Sequence, residues 1–527
     1  MAERYDIIIA GAGHNGLTVG AYLAKAGLNV CVIEKRSYVG GGVVTRELTE
    51  PGFKHDICAI WHGIIQANPL IINDELGLLS QFGLKYLFPE IHTAVIFPDD
   101  SSMIFYEDLN KTCASIAQFS ERDAEAYRKF HDWSVNLLDM FTTGMFSPPT
   151  SFGAFMSLLD QSEEGRELLR AQLVSALDIC DDWFESDEVK IAMTRFASEG
   201  MVSPQTKGTG LILFILIPLM HKYGGGLPVG GSGVLSDALA KCIEHYGGTI
   251  KVSSGIKKFN VSGDEITGVM LDSGEVIEAA KAVVTNMHIQ QVFPGMVEGA
   301  RLPEGFLHKV ERITFSDFVA MNQAYALHEA PKYKAGGDVD NAFWVEFCSR
   351  NLEEYLRGFE NFSYGIPATD FPIAITPTLF DKTRAPEGKH TLYLYHFEPF
   401  GLKDGGAAKW DEIGDEIADG LLEKLRMHTI NMGDENIIGD RWVHNPLDYS
   451  RYNDANVRGD FMHIGSHVWQ NAGNRPFAGW SQYRMPVKKL YMCGPSTHPG
   501  AGATGGGRAA VQVVMEDLGI DFEKVIA

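Results

Sequence analysis

Hydrophobic and polar positions fall into short, readable blocks at both ends of this 527-residue chain. Residues 6–10, DIIIA, read as a buried strand. Residues 17–25 carry helical spacing, and Gly27 follows as a helix-ending glycine. Residues 29–33 return to an apolar strand, closed by Glu34. Farther on, 249–252, 256–261, 266–271, 276–279 and 282–285 are strand-like, with turn signals at Gly263-Asp264 and Asp272-Ser273-Gly274. Near the end, 490–493 reads as a strand and 508–518 as a helix, with Ala509, Val513 and Leu518 on its buried side. Between them, six of the fourteen residues from 494 to 507 are glycine. Glycine loses more backbone freedom on folding than any other residue. A strand, a glycine loop and a helix N-terminus in that order can cradle a hydrogen-bond-accepting ligand on free N–H groups. By itself that stretch is equally compatible with a plain glycine turn.

The first block is more specific. Gly11, Gly13 and Gly16 spell GxGxxG between the first strand and the helix. Gly11 makes the tight turn, Gly13 lets backbone approach a pyrophosphate, and Gly16 lets helix and strand pack closely. Glu34 lies 18 residues after Gly16, where an acid accepts hydrogen bonds from ribose hydroxyls and disfavours a 2′-phosphate. His14 and Asn15 sit inside the loop. At the pyrophosphate end His14 reads as structural or solvent-facing rather than catalytic. The continuation, Glu34-Lys35-Arg36 and then Gly40-Gly41-Gly42-Val43-Val44-Thr45, places a second glycine cluster soon after the ribose acid. That suits a backbone passing the diphosphate and ribityl chain of FAD; NAD enzymes have no such need there.

The length allows two or three folded domains. The net charge of −23 argues against nucleic acid and against an anionic membrane surface as the main partner. Seven scattered cysteines, with no CxxC, argue against a disulfide framework or zinc site and fit a cytoplasmic protein. The longest apolar run, 210–220, GLILFILIPLM, is too short to span a bilayer, so no integral membrane span is expected. It reads as a buried core helix, with the wall of an apolar substrate tunnel or a dip into a membrane surface as alternatives.

Four stretches together, GAGHNGL (11–17), EKRSYVGGGVVT (34–45), GFKHD (52–56) and CGPSTHPGAGATGGGRAA (493–510), resemble the phytoene-desaturase-like flavoproteins of the FAD-dependent amine oxidase superfamily. The segments 229–259 and 459–494 are also similar, so the likeness brackets nearly the whole chain. It implies an α/β fold: a Rossmann-type, glutathione-reductase-like FAD-binding domain from 1–95, 222–300 and 455–527, with a discontinuous α+β substrate domain from 96–221 and 301–454. It implies cofactor contacts at Gly11, Gly13, His14, Asn15, Gly16, Glu34, Lys35, Gly41, Gly42, Val43, Thr45, Ile256, Gly494, Gly502, Ala503 and Thr504. Ile256 would meet the adenine and the terminal loop would meet the isoalloxazine ring. Relatives with GGR at the second cluster differ here, where position 42 is glycine and Arg46 comes later.

No second GxGxxG follows a strand, so a small-molecule substrate and oxygen, a quinone or another electron acceptor are the expected partners. Oligomeric state is left open. The leading chemistry is dehydrogenation of a C–C bond, with hydride passing to the flavin and a base removing the neighbouring proton. Histidine fits that base. His498 in the terminal loop is the first candidate, followed by His463 and His467, with Trp61, His62 and Tyr483 weaker. Asp56 reads as support for the FAD domain. The alternatives are an amine oxidase walled by Trp469, Trp480 and Tyr483, a redox-neutral isomerase or hydratase, and a flavin-binding protein without turnover. Cys493 lies near the ring site without a spacing that compels covalent linkage.

Overall fold

The computed structural model describes residues 3–502 and 504–527. Among these, two seven-stranded sheets carry the architecture.

The first sheet begins with Glu3–Ala10, whose inner four residues are fully buried. It pairs in parallel with Val30–Ile33 on one side and Val276–Thr285 on the other. Parallel strands buried on both faces read as continuous apolar runs. Thr249–Lys251 extends the sheet beyond Val30–Ile33, while Glu265–Leu271 and Ile256–Ser262 extend it antiparallel beyond Val276–Thr285. Leu490–Met492 also pairs with Val276–Thr285. The expected pair of strands at 276–279 and 282–285 is therefore one strand. Its register slips where Tyr5 opposes Ala279 but Ile7 opposes Ala282, a bulge that the apolar pattern recorded as a gap.

Two helices cover this sheet's glycine-rich end. The helix after the first strand is His14–Lys25, three residues longer at its start than its apolar spacing suggested. The second is Gly505–Asp517, so the last three glycines of the cluster are helical rather than loop; a short helix, Phe522–Ile526, ends the chain. They are there for packing: a Cβ on Gly507 would stand 2.5 Å from the Asn15 carbonyl oxygen and 2.8 Å from Thr18 Cβ.

The second sheet runs Ile437–His444, Val319–Leu327, His390–Glu398, Ile373–Ile375, Trp344–Phe347, Ile91–Ile96, Ser102–Tyr106 in spatial order. Side chains alternate between its faces. One face, with Ala94, Val345, Ala374, Leu392 and Leu394, packs on the helix Trp410–Met427. The other presents Trp344, Ile375, Tyr393, Tyr395 and Phe397 to the helices of residues 109–223. The apolar run forms Gly210–Ile212 and Leu213–Tyr223. Leu213 and Phe214 are buried in the core, and no described helix is long and apolar enough to cross a membrane.

Candidate active site

A cavity of about 1320 Å³ runs between the two sheets. Glu34, Lys35, Ser254, Ile256 and Asp272 line one end. The wall continues along Gly11, Gly13, His14, Asn15, Gly41, Gly42 and Val43 to Gly502. Beyond this it widens among aromatic and aliphatic side chains.

Local geometry explains why glycine stands at the narrow part. The loops 11–16 and 40–43 lie against one another, with the Gly40 N–H donating to the Ala12 carbonyl at 2.8 Å. A Cβ on Gly13 would meet Asn286 Nδ2 at 2.3 Å, and one on Gly16 would meet the Gly11 carbonyl oxygen at 2.4 Å. Gly41 has φ +63° and lies on Gly13. The Glu34 carboxylate is held in place by the N–H groups of Ala12 (2.8 Å) and Arg36 (3.0 Å). Arg36 stacks on the Tyr452 ring at 3.7 Å, and Lys35 pairs with Asp454 at 2.5 Å across the same end.

Several expected contacts lie elsewhere. Gly16 sits beneath the loop as a packing contact. Thr45 gives its hydroxyl to Asp56 and receives the Gly233 N–H. Gly494 packs on Asn286, and the Thr504 hydroxyl accepts from Asn68 Nδ2 at 3.1 Å. None of these four lines the cavity. Ala503 falls outside the described residues. Arg46 lies over the Tyr38 ring, away from the cavity. Asn286 and Met287, at the end of the strand Val276–Thr285, are wall residues that the sequence did not single out. Nothing in an isolated Asn-Met pair signals that position.

The histidines separate clearly. His463 lines the cavity; its Nδ1 is 3.1 Å from Ser496 Oγ, and its Nε2 has no protein partner among the described residues. Burial, with His288, Arg475 and His14 nearby, holds its pKa well below the usual histidine range. The Ser496 hydroxyl also accepts the Ile289 N–H at 3.2 Å. His288 accepts from the Gln290 N–H and so donates through Nε2 to the His463 carbonyl at 2.8 Å, which fixes the backbone there. His498 lines the cavity but its Nε2 is tied to the Gly144 carbonyl at 2.9 Å, and its Nδ1 is sealed from solvent. Burial brings its pKa down to about 4. His467 does not line the cavity: its Nε2 faces the Phe315 carbonyl at 3.3 Å, and its ring stacks on Trp469. It is withdrawn as a candidate base. His14 is buried against the cavity rather than solvent-facing, and burial lowers it to about 4.

The weaker candidates divide in the same way. Trp61 lines the cavity, seated in space left by Gly63 and Gly225. His62 is bonded to the Tyr86 hydroxyl and Tyr483 to the His498 carbonyl, both away from the cavity. Trp469 is 54% exposed and Trp480 packs on Phe306, so the expected aromatic walls of an amine site are not those residues. The aromatic wall is built from Trp61, Phe196, Trp344, Tyr393, Tyr395 and Tyr449 instead. Asn322 Nδ2 ties Tyr393, Tyr449 and the Ile57 carbonyl together, each within 2.8 Å. Cys493 is buried outside the cavity. Asp56 is a supporting residue, paired with the fully buried Arg384 at 2.5 Å and accepting the Ser232 N–H.

The terminal loop is held by Arg475, which is fully buried. Its guanidinium donates to the carbonyls of Pro495, Met462 and Ile464 at 2.5–2.9 Å. Burial lowers its pKa to about 10, with Asp460 opposing the shift, so the charge is retained.

Residues 9–70 match the NAD(P)-binding Rossmann-like domain family. Over 98% of its length the chain is 28% identical to rat (Rattus norvegicus) pyridine nucleotide-disulfide oxidoreductase domain-containing protein 2, covering 94% of that protein. It is 26% identical to a limonene dehydrogenase polypeptide of Castellaniella defragrans, over 99% of this chain and 96% of that one. With a lycopene-forming phytoene desaturase of Pseudescherichia vulneris it shares 23% identity over 97% and 99% of the two chains. Over nearly its whole length the chain is thus similar to desaturases and dehydrogenases of the phytoene-desaturase-like kind. Cyclohexylamine oxidase from Brevibacterium oxydans has the same fold, at a TM-score of 0.57 and 14% identity over 98% and 99% of the two chains. These likenesses imply a flavin cofactor, and the residues fit one. Gly502, at φ +129°, has no atom within 4 Å of where a Cβ would stand, and the glycine loops leave a long channel beside a helix N-terminus.

Proposed function

We propose that this phytoene-desaturase-like chain binds FAD along the glycine-lined channel and dehydrogenates a C–C bond of a small to medium apolar substrate. The continuity of one cavity, from the Glu34 carboxylate to an aromatic and aliphatic chamber, is the observation that carries this reading. On it, residues 1–95, 222–300 and 455–527 form the FAD-binding part and 96–221 with 301–454 the substrate part; the separation of the two sheets supports that division except at 91–95, which belong to the second sheet's strand Ile91–Ile96.

The bound flavin would supply a two-electron hydride acceptor, later reoxidised by oxygen, a quinone or another carrier. Glu34 would accept hydrogen bonds from ribose hydroxyls, and the first turn of His14–Lys25 would meet the diphosphate. The aromatic wall and the side chains of Leu211, Ile212, Ile215 and Leu216 would bind the substrate and exclude water. His463 is the residue placed to take the proton. In the tautomer with a proton on Nδ1, that N–H donates to Ser496 Oγ and leaves Nε2 as the acceptor. Burial holds the ring's pKa below the usual histidine range, so Nε2 carries a free lone pair but is a weaker base than an ordinary histidine.

The test is an anaerobic titration of the purified protein with short polyenes, cyclic ketones and acids, and amines, following the flavin band and the product mass. Bleaching by an alkene or a saturated ring compound, with a product two hydrogens lighter, is the expected result. Purification without flavin, or bleaching by amines alone through carbon–nitrogen oxidation, overturns the reading. A product of unchanged mass, or one heavier by water, marks redox-neutral chemistry.

A further inference from the structure

The chamber contains one charged group that the proposed reaction does not use. Glu199 caps the helix Asp187–Ser198 and lines the cavity. Its side chain keeps 27% of its surface accessible, although it is enclosed by surrounding protein. That surface therefore faces the cavity rather than bulk solvent. Its Oε1 accepts from Arg195 Nη1 at 2.6 Å, and Oε2 has no protein partner among the described residues.

Its pairing is partial. Arg195 is buried, with its guanidinium 4.2 Å over the Phe397 ring. A second carboxyl, Glu346, is 1% exposed and neither oxygen has a hydrogen-bond partner. It interacts electrostatically with both Arg195 and Glu199. Burial raises the Glu346 pKa to about 7 and holds His396, the other basic group beside Arg195, down to about 3. One guanidinium thus faces two carboxyls. Burial raises Glu199 as well, with Arg195 opposing the shift; when it ionises, its unpaired Oε2 stands at the wall of a desolvated cavity, where a charge is costly unless paired. Phe196 and Tyr395, cavity residues on the flanking helix and strand, add the π faces that favour a cation.

We propose that Glu199 determines specificity by docking a protonated amine on the inner end of the substrate. This rests on the cavity being the flavin and substrate site. The ammonium completes the pairing that Arg195 leaves unfinished, and the apolar remainder of the substrate lies along the aliphatic wall. The role is positioning: Glu199 binds a group remote from the carbons that react.

Calorimetry with octylamine, octan-1-ol and octanoate on the flavin-loaded protein tests this. Octylamine should bind at least tenfold tighter than octan-1-ol, with octanoate weaker than both. Glu199→Gln, which keeps the side-chain volume, should remove that preference, weakening octylamine at least tenfold and octan-1-ol less than threefold. Asp434→Asn, at a carboxylate whose side chain is 92% exposed, controls for amine attracted by the chain's overall charge and should change neither. Equal affinity for amine and alcohol in the unaltered protein overturns the proposal, as does octylamine binding indifferent to Glu199→Gln. Should the variant fail to fold, the comparison of the three head groups on the unaltered protein decides. A protein that purifies without flavin sinks the underlying reading before any head group is compared, so the two failures are distinguishable.

Discussion

Gly507 donates its backbone N–H to the Asn15 side-chain oxygen at 2.8 Å, joining the helix Gly505–Asp517 to the first helix across 492 positions of sequence. The contact exists because neither partner's backbone is shielded: the site of a Gly507 Cβ is 2.5 Å from the Asn15 carbonyl oxygen. Gly507→Ala must push the helices apart. It should destabilise the protein by roughly 1–3 kcal/mol, the usual cost of overpacking, read as a lowered denaturant midpoint at unchanged slope.

Gly41→Ala tests the channel. Position 41 requires φ +63° and its Cβ would lie 3.0 Å from Gly13 Cα. A left-handed conformation costs an L-residue roughly 1–2 kcal/mol, and the added methyl narrows the wall. Flavin affinity should drop about tenfold or more, measured as the flavin-to-protein ratio after dialysis. Full retention would count against the diphosphate passing here.

Arg475→Met leaves the carbonyls of Pro495, Met462 and Ile464 without their donor. Leaving a buried acceptor without its donor typically costs about 1–3 kcal/mol per group. The variant should melt markedly lower and lose flavin. A melting temperature within a degree or two of the unaltered protein would show that the loop does not depend on it.

His463→Gln and His498→Gln should differ in kind. Removing the candidate proton acceptor should lower kcat by a factor of about 10² or more while flavin binding persists. Removing the His498 contact to Gly144 should cost on the order of 1 kcal/mol of stability with kcat changed less than tenfold. Equal kcat losses in the two variants would remove His463 from its assigned role.

Two opposing pH dependences are built into the interior. His14, His288 and His498 are each depressed to about 4 by burial, and His62, His92 and His444 to about 3. The unfolded chain binds protons at these groups near pH 6.5, so their stabilising contribution is complete above that and is lost as pH falls toward 4 and below. Glu346 acts in the other direction. Its pKa is raised from 4.5 to about 7, so its contribution is complete below pH 4.5 and is lost as pH rises through 7. Glu346→Gln should therefore gain roughly 2 kcal/mol relative to the unaltered protein between pH 5 and 8. Parallel melting-temperature profiles for the two proteins would contradict this.

The strands and loops at the chain ends were legible because each carries a local signal. GxGxxG between an apolar strand and a helix needs no distant partner to be read. The terminal glycines were read only in part. Gly502 opens onto the cavity, whereas Gly505 to Gly507 serve a helix crossing, and both uses leave the same residue type in the sequence. The histidines were less legible still. His463 and His467 are four residues apart, yet one faces the cavity and the other the Phe315 carbonyl. That outcome depends on a backbone at φ +61° at His463, held by the His288 hydrogen bond to its carbonyl from 175 positions away.

The sequence by itself determined a dinucleotide fold, the glycine-lined channel and the acid at its end, because tight turns and buried strands are specified by neighbouring residues. Only the tertiary structure decided which imidazole is free, which aromatics form the wall, and that Glu199 turns an unpaired carboxylate oxygen to the cavity. Those properties arise from desolvation and from groups brought together by packing, and neither quantity exists until the chain is packed.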